Sequence, residues 1–411
     1  MALRHRIGRK GVLLAAGVVL AVGSLVTYSY RAPARLQAGG GSFLRDGTAG
    51  FVVTDIAYAL GPDTQDTPAC PQGMSLDVSQ IFAASPDGQQ RPGEDDEAYT
   101  KRKEAGGKAL SATADGRDYC TNPALAPVDT HARLLLDPRA RAEGIDLDGK
   151  ISRSPADARS GKLDFVGIDG TKGVDNQFWR AVGCNRSYQS RGQSNGFKIE
   201  MYSGSWGILI KLDGVDDLRN DDSIKVGLYA NADPLQVSPT RNALEYATYA
   251  MDADKRFRAE TTGRIRDGLL TTDPVDVRFH HVVNGMYLER PLRDARMQAT
   301  LSPHGVLKGF LAGYSPVEAI YNYQFGFRDA KDAAGKPTLQ RAVASANGAA
   351  RVLGHTCPGM WQSLHRMADG HRDAKSGAFT SISTQYRIEA RPAFVVDVLT
   401  HSKNDKLVRN D

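Results

Sequence analysis

Residues 51–60, FVVTDIAYAL, form an apolar run rich in β-branched and aromatic side chains with partial alternation, and Gly61-Pro62-Asp63 ends it, which predicts a strand. Between 65 and 142 the pattern dissolves into Pro, Gly, Asp and short apolar groups, with helices expected at 76–84 and 94–105. The second of these places acids ahead of bases, an order that suits the helix dipole and i,i+4 pairing on a solvated face. From 165 to 323 short apolar segments alternate with Gly, Asp and Asn. Strands are expected at 197–202, 207–212, 223–229, 275–279 and 287–292. A hairpin is expected from 294–301 through the turn Ser302-Pro303-His304-Gly305 to 306–314. Further on, 347–351 reads as helical, and Met360, Leu364, Met367 and Ala368 make the apolar stripe of a helix closed by Gly370. A final strand is expected over 384–398.

Recurring strands with turn signals and few helices between them argue for an antiparallel arrangement rather than a parallel α/β sheet. The expected fold class is mainly β, α+β overall. Its core would be an antiparallel β-sandwich or barrel, with a cystine-tied, loop-rich N-terminal segment and a C-terminal helix. The body is expected to span 51–411, divided into a loop-rich part at 51–160, a β core at 161–345 and a helix-strand part at 346–411. No repeat of fixed period runs through it.

The N-terminus follows a different rule. Arg4, Arg6, Arg9 and Lys10 precede an apolar run over 12–26 in which only Gly and Ser intervene, so residues 1–30 read as a signal anchor or signal peptide. Extended to Tyr30 the run reaches about 19 residues, near the ~20 that span a bilayer, and this length favours an uncleaved anchor. Ala21-Val22-Gly23 keeps a cleavable core open. Basic residues are denser before the run than after it, where Arg31 and Arg35 follow, and this orients the N-terminus to the cytoplasm and the body outward. Residues 31–50, with the Gly-rich stretch 36–42, read as a flexible linker. The membrane, through this N-terminal segment, is thus one expected partner, with the body on the periplasmic or extracellular face of the cell envelope.

Composition fits a folded body, with 41% hydrophobic and 24% charged residues. The net charge of +5 arises from 52 basic residues interleaved with 47 acidic ones, so no sustained positive face is legible and nucleic acid is not an expected partner. The four cysteines, Cys70, Cys120, Cys184 and Cys357, suit disulfides in an oxidising compartment. Of three possible pairings, Cys70 with Cys120 and Cys184 with Cys357 is expected. The first would bracket one polar stretch, and the second would tie the centre to the C-terminal part. No C-x-x-C spacing supports a metal thiolate.

Three acidic, Gly-containing turns stand out: Asp146-Leu147-Asp148-Gly149, residues 169–176, and residues 213–222. Carboxylates and Asn amides on tight loops are the hard oxygen ligands of calcium, although Asp, Asn and Gly are also what β-turns demand. None of the turns completes an EF-hand spacing with its distal Glu. Asp175, Asn176, Asp216, Asp221 and Asp222 are the expected metal ligands, with calcium the expected ion and no other cofactor expected. The same acids could provide the paired carboxyls of a glycan-active hydrolase or lyase. Trp179, Tyr188, Tyr202 and Trp206 are candidates to stack on sugar rings, against the competing role of core packing. His280 and His281 adjoin, so they face opposite sides of a strand and cannot serve one metal. His365 and His371 flank the end of the expected C-terminal helix without a zinc spacing. Asn185-Arg186-Ser187 is a formal glycosylation acceptor. No G-x-S-x-G, Walker loop or G-x-G-x-x-G is present, so the common nucleotide and serine-hydrolase plans lack support.

Residues 173–184, GVDNQFWRAVGC, and 214–226, GVDDLRNDDSIKV, resemble segments of exported bacterial β-rich proteins without an assigned activity. The resemblance spans about the central half of the chain. It implies export and a β fold and transfers no catalytic residues. The expected function is that of a non-enzymatic, extracytoplasmic binding protein of the envelope, its ligand a glycan or an envelope protein and its loops ordered by calcium. A glycan-active enzyme and a structural envelope component are the alternatives.

Overall fold

The computed structural model describes residues 43–398 apart from 65–67, 153, 159, 191, 193–196, 232, 284–285, 326, 332–336 and 341–342. All of these belong to the compact unit Leu36–Asp411. The expected anchor at 1–30 lies outside the described residues, as does the Gly-rich stretch 36–42. No helix among the described residues is long and apolar enough to cross a membrane.

The first strand, β1 (Ala49–Tyr58), alternates between two faces until its register shifts between Val53 and Asp55. Phe51 and Val53 enter the main core, Val52 enters a second cluster on the opposite face, and after the shift Ile56 and Tyr58 return to the main core. The extra residue thus keeps the apolar set of a long strand aimed inward. Helices α1 (Val78–Ala84) and α2 (Asp96–Leu110) follow, near their expected positions. Asp77 caps α1 in a capping box with Gln80, and Asp95 caps α2. A small sheet comes next, made of β2 (Arg141–Ala142), β3 (Phe165–Gly167) and β4 (Lys172–Val174). It leads directly into helix α3 (Gln177–Val182).

Residues 197–202, expected as a strand, instead contain helix α4 (Lys198–Tyr202). The alternation of polar and apolar types there is misleading. Phe197 and Met201, four apart, are buried together while Ile199 is exposed, and this is a helical rather than an extended division of faces. Gly204, at φ +74°, follows the helix with its N–H bonded to the Met201 carbonyl.

The large sheet is completed by β5 (Ile208–Asp213), β6 (Asp221–Ala230), β7 (Ala247–Ala250), β8 (Arg258–Arg266), β9 (Leu269–Thr272) and β10 (Val275–Val283). Strands β11 (Met286–Leu301) and β12 (Leu307–Pro316) then form the expected hairpin, its turn closed by Ser302, whose N–H donates to the Val306 carbonyl. The two segments expected at 287–292 and 294–301 are one 16-residue strand, with Asp294 at φ +49° beside a register shift. After helix α5 (Val317–Phe325), the short pair β13 (Phe327–Lys331) and β14 (Pro337–Gln340), and helices α6 (Val343–Leu353) and α7 (Cys357–Met367), the chain returns through β15 (Gly370–Arg372) to β16 (Phe379–Val396).

Eleven strands join in one sheet, mainly antiparallel, with β7 the parallel exception on β16. The pairing runs β1-β5-β6-β8-β9-β11-β12-β16, and β16 pairs again with β1. The architecture is therefore mainly β, as the sequence predicts, and ring-like rather than a regular barrel. Ile210, Leu212, Val226, Leu228, Ile265, Met297, Leu311, Tyr386 and Ile388 face the main core from successive strands.

Two disulfides tie this body, and their pairing differs from the expectation: Cys70 bonds Cys184, and Cys120 bonds Cys357. The reason is tertiary. Cys184 lies just beyond α3 and its carbonyl accepts from Ser75 N–H, which brings the Cys70 turn to it. Cys357 opens α7, and Tyr321 of α5 donates its hydroxyl to the Cys120 carbonyl at 2.9 Å, which draws the Cys120 loop to the same place. Their Cα separations, 5.9 and 4.9 Å, lie within the ordinary disulfide range. Disulfides of this kind fit an oxidising, extracytoplasmic compartment.

Candidate metal centre

Asp146, Asp148 and Asp175 each place a carboxylate oxygen within 4.8 Å of the others. Two loops supply them. The first, 145–150, lies against the outer face of β12: Ile145 and Leu147 pack with Ala312 and Tyr314 while the aspartates between and after them stay on the other side. Alternation thus separates the apolar anchors from the carboxylates. The second loop joins β4 to α3, and its position is fixed by Asn176 and Gln177. Asn176 caps α3 through Trp179 N–H and donates its amide to the Ala59 carbonyl at 2.6 Å and the Glu143 carbonyl at 3.2 Å. Gln177 N–H donates to Ser383 Oγ at 2.8 Å.

Gln385 on β16 holds the two loops together. Its Nε2 donates to the Ile145 carbonyl at 2.8 Å and the Asp175 carbonyl at 2.6 Å, and its Oε1 accepts from Ile145 N–H at 3.1 Å. Gly144 makes room for it: at φ +141° a Cβ there would lie 2.6 Å from Gln385 Cδ. Gly173 is equally constrained, at φ +80°, with Lys150 O 3.0 Å and Asp146 Oδ2 3.3 Å from where its Cβ would stand. The Lys150 carbonyl therefore joins Asp146 in the space beside Gly173.

Within the cluster the carboxylates are partly engaged by backbone donors. Asp175 Oδ2 accepts from Leu147 N–H at 2.7 Å and Asp148 N–H at 3.3 Å. Asp146 Oδ1 accepts from Gly149 N–H at 2.7 Å, and Asp148 Oδ1 from Lys150 N–H at 2.9 Å. Burial pushes the Asp175 carboxyl up to about 8; the Leu147 N–H opposes the shift, and the charges of Asp148, Asp369 and Asp164 add to it. Asp146 is also raised, by burial first and then by Asp148 and Asp164. Asp369, buried below β16 with its Oδ1 on Ser383 N–H at 2.7 Å, is pushed by burial to about 7. Of the cations around these acids, Lys162 is lowered by burial and raised in part by Asp369, and the buried Arg180 is lowered by burial to about 10 and raised in part by Asp164 and Asp137. The site stands ready to take either a proton or a cation, and three oxygens this close could hold a metal ion.

Of the ligands expected from sequence, Asp175 alone belongs to this cluster. Asn176 is consumed by capping and by its two amide bonds. Asp216, Asp221 and Asp222 belong to the β5–β6 hairpin, which meets β1 at Ala49, whereas the 175–177 loop meets it at Ala59, about 30 Å of extended chain away. There Asp221 caps the turn by accepting from Asp216 N–H at 2.8 Å, and Asp222 pairs with Arg266. They serve the turn, as Asp commonly does. Sequence reading singled out the 146–149 turn without naming Asp146 and Asp148 as ligands. Their i,i+2 spacing ahead of Gly149 is the signal that could have found them. Gln385, an ordinary strand residue in the sequence, carries no such signal.

No family model, curated protein or solved structure matches the chain.

The aromatic candidates are placed differently from a sugar platform. Trp179, Tyr188 and Trp206 are 1–2% exposed and packed in the main core. Tyr188 lies against Tyr58 and Phe178, and Trp206 stacks on His281 with ring centroids 4.8 Å apart. Arg290 completes this interior group, donating Nε to His281 Nδ1 at 2.7 Å and Nη1 to the Tyr58 and Tyr386 hydroxyls at 3.0 Å each. Burial, reinforced by Arg290, drives the His281 imidazole far below its usual range. Tyr202 is half-buried and donates its hydroxyl to the Arg241 carbonyl at 3.2 Å. His280, on the opposite face of β10 from His281, pairs with Asp252 at 3.1 Å. Asn185 and Ser187 of the glycosylation pattern are both buried, which closes that site to modification in the folded protein.

Proposed function

We propose that this is a non-enzymatic binding protein of the cell envelope whose Asp146/Asp148/Asp175 loop pair is ordered by calcium. The single observation that carries the reading is the convergence of three carboxylates from two separate loops, their oxygens all within 4.8 Å of one another. An ion about 2.4 Å from each ligand reaches oxygens up to ~4.8 Å apart, which suits the larger divalent cation and its tolerance of irregular geometry. Asp146 and Asp148, with the Lys150 carbonyl nearby, supply hard oxygens at alternating chain positions. Bound calcium would tie the β4–α3 loop to the 145–150 loop on the face of β12 and so fix an outer surface for a partner. That partner is a glycan or an envelope protein, reached without the core aromatics. The disulfides and the polarity of the N-terminal residues favour an extracytoplasmic position, with residues 1–30 as the anchor or leader.

Thermal unfolding of the full chain in calcium and in chelator tests the reading. A ligand that binds only the folded state stabilises it by about 2.7 kcal/mol at a hundredfold excess over Kd, so calcium should raise Tm by several degrees. An identical melt in both conditions removes the proposal.

A second reading has one observation in its favour. A carboxyl raised to about 8 is what a general acid for glycan cleavage requires. Against it, Asp175 is 5% exposed beneath two loops, which leaves a sugar little access. Release of reducing ends from envelope glycans, lost on Asp175→Asn, would favour the enzyme over the binder.

A further inference from the structure

Beside the Cys70–Cys184 disulfide lies an open cavity of about 580 Å³, between the turn 68–73, the segment 132–139 and the last turn of α7. Its charged lining is Arg133, Asp137, Arg139 and Arg366. Asp137 is already answered: Arg139 donates Nε at 3.2 Å, Nη2 at 3.1 Å and its own N–H at 2.8 Å, which holds the carboxyl below its ordinary value. Those two charges cancel. Arg133 and Arg366 remain, and neither has a carboxylate partner among the described residues. Arg133 donates Nη1 to the Thr130 carbonyl, while its Nε is shut from water without an acceptor. Arg366 is exposed and makes neither a hydrogen bond nor an ion pair among the described residues.

A guanidinium presents a planar fork of donors that matches two oxygens of one oxyanion, and it keeps its charge when partly buried. Two such groups facing one cavity offer two positive charges. A phosphate monoester carries ≈ −1.5 to −2 at neutral pH and meets both, whereas a lone carboxylate meets one. Leu134 and Leu136 line the same cavity, and Leu136 is 54% exposed, so an apolar or sugar remainder has a surface to lie on. The volume falls in the range usual for small-ligand sites, ~300–1,000 Å³. We propose that this cavity binds the phosphate monoester of a small organic molecule, Arg133 and Arg366 taking the phosphate oxygens and Leu134 and Leu136 the organic part. The site is independent of the aspartate cluster and of the calcium reading.

Calorimetric titration of the full chain at neutral pH and low salt, with phenyl phosphate, inorganic phosphate and benzoate as separate probes, tests this. Phenyl phosphate should saturate one site and bind about tenfold more tightly than benzoate, since one of two charge-assisted contacts is lost with the monoanion. Arg366→Gln, at an exposed position that does not endanger folding, should weaken phenyl phosphate about tenfold, and Arg133→Gln should do the same. Arg264→Gln on β8 should change nothing. Inorganic phosphate binding as tightly as phenyl phosphate would overturn the monoester assignment. No saturation by about 10 mM probe, a Kd weaker than ~3 kcal/mol of binding free energy, or equal affinity in wild type and both arginine variants would overturn the site itself.

Discussion

The side-chain amide of Gln385 donates to the main-chain carbonyl of Asp175 at 2.6 Å, so a strand residue near the C-terminus fixes the position of a loop 210 residues earlier. The same amide also bonds the Ile145 carbonyl, and its oxygen accepts the Ile145 N–H. One buried side chain thereby bridges the two loops that carry the carboxylates, alongside their direct bond from Asp175 N–H to the Ile145 carbonyl at 3.2 Å.

Gln385→Leu should leave two buried main-chain groups without partners, the Ile145 N–H and the Asp175 carbonyl, while the Ile145 carbonyl keeps its bond from Asp175 N–H at 3.2 Å. Each such group costs about 1–3 kcal/mol, and relaxation of the loops reduces the sum, so a loss of about 3 kcal/mol is expected in urea unfolding. Calcium affinity should fall with it. A loss below about 0.5 kcal/mol, the range of an ordinary surface substitution, would show that the loops hold their spacing without Gln385.

Asp175→Asn keeps the acceptor for Leu147 N–H and removes the charge that burial disfavours. In chelator near pH 8 this variant should be as stable as the parent or more so, while its response to calcium should vanish. A variant that is destabilised in chelator and still responds to calcium would place the ion elsewhere.

The pH dependence of the metal-free protein has a definite sign. Asp175 binds its proton more tightly in the folded state, at about 8 against an ordinary carboxyl value of 3.8, and Asp369 does so at about 7. The stability each contributes is complete below the unfolded carboxyl value and is lost as pH rises through the folded one. In chelator the protein should therefore lose of order 1 kcal/mol per pH unit between pH 4 and 8 from such a group, and saturating calcium should flatten that slope. A Tm in chelator that rises steadily from pH 4 to 8 would contradict it.

Gly173→Ala should weaken calcium binding and stability together. Its φ of +80° disfavours a side chain, and the added Cβ would stand 3.0 Å from the Lys150 carbonyl oxygen and 3.3 Å from Asp146 Oδ2. A cost of about 1–2 kcal/mol is expected in urea unfolding. Unaltered stability would mean the loop can rebuild around a methyl group.

The disulfides offer a check on the topology itself. Peptide mapping of the unreduced protein should recover Cys70 with Cys184 and Cys120 with Cys357. Closing loops of 114 and 237 residues removes about 5 kcal/mol each of denatured-state entropy on the chain-entropy model, so Cys120→Ser with Cys357→Ser should cost several kcal/mol. Recovery of Cys70 with Cys120 would contradict the fold.

The strands of this protein were legible because their apolar residues alternate and their turns carry Gly, Pro, Asp and Asn. The segment 306–314 and its partner across Ser302-Pro303-His304-Gly305 pair as the sequence predicts. Residues 197–202 were not, since Phe197 and Met201 satisfy both a helical and an extended reading, and tertiary burial decided between them. The cystine pairing depended on where α3 and α7 dock, which no spacing along the chain encodes. The carboxylate cluster was half legible: acidic Gly-turns announce themselves, but which of them meet is set by Asn176, Gln177 and Gln385 bonding across the sheet. Asp216, Asp221 and Asp222 look equally suitable in the sequence and sit at the far end of β1.

Calorimetric titration of calcium into the full chain near pH 7, repeated in buffers of different ionisation enthalpy, measures the ion and the proton at once. The account predicts one calcium per chain and release of about one proton, because an Asp175 carboxyl at about 8 is mainly protonated there and must ionise to become a ligand. No calcium uptake at millimolar concentration, or uptake with no proton released, would contradict it.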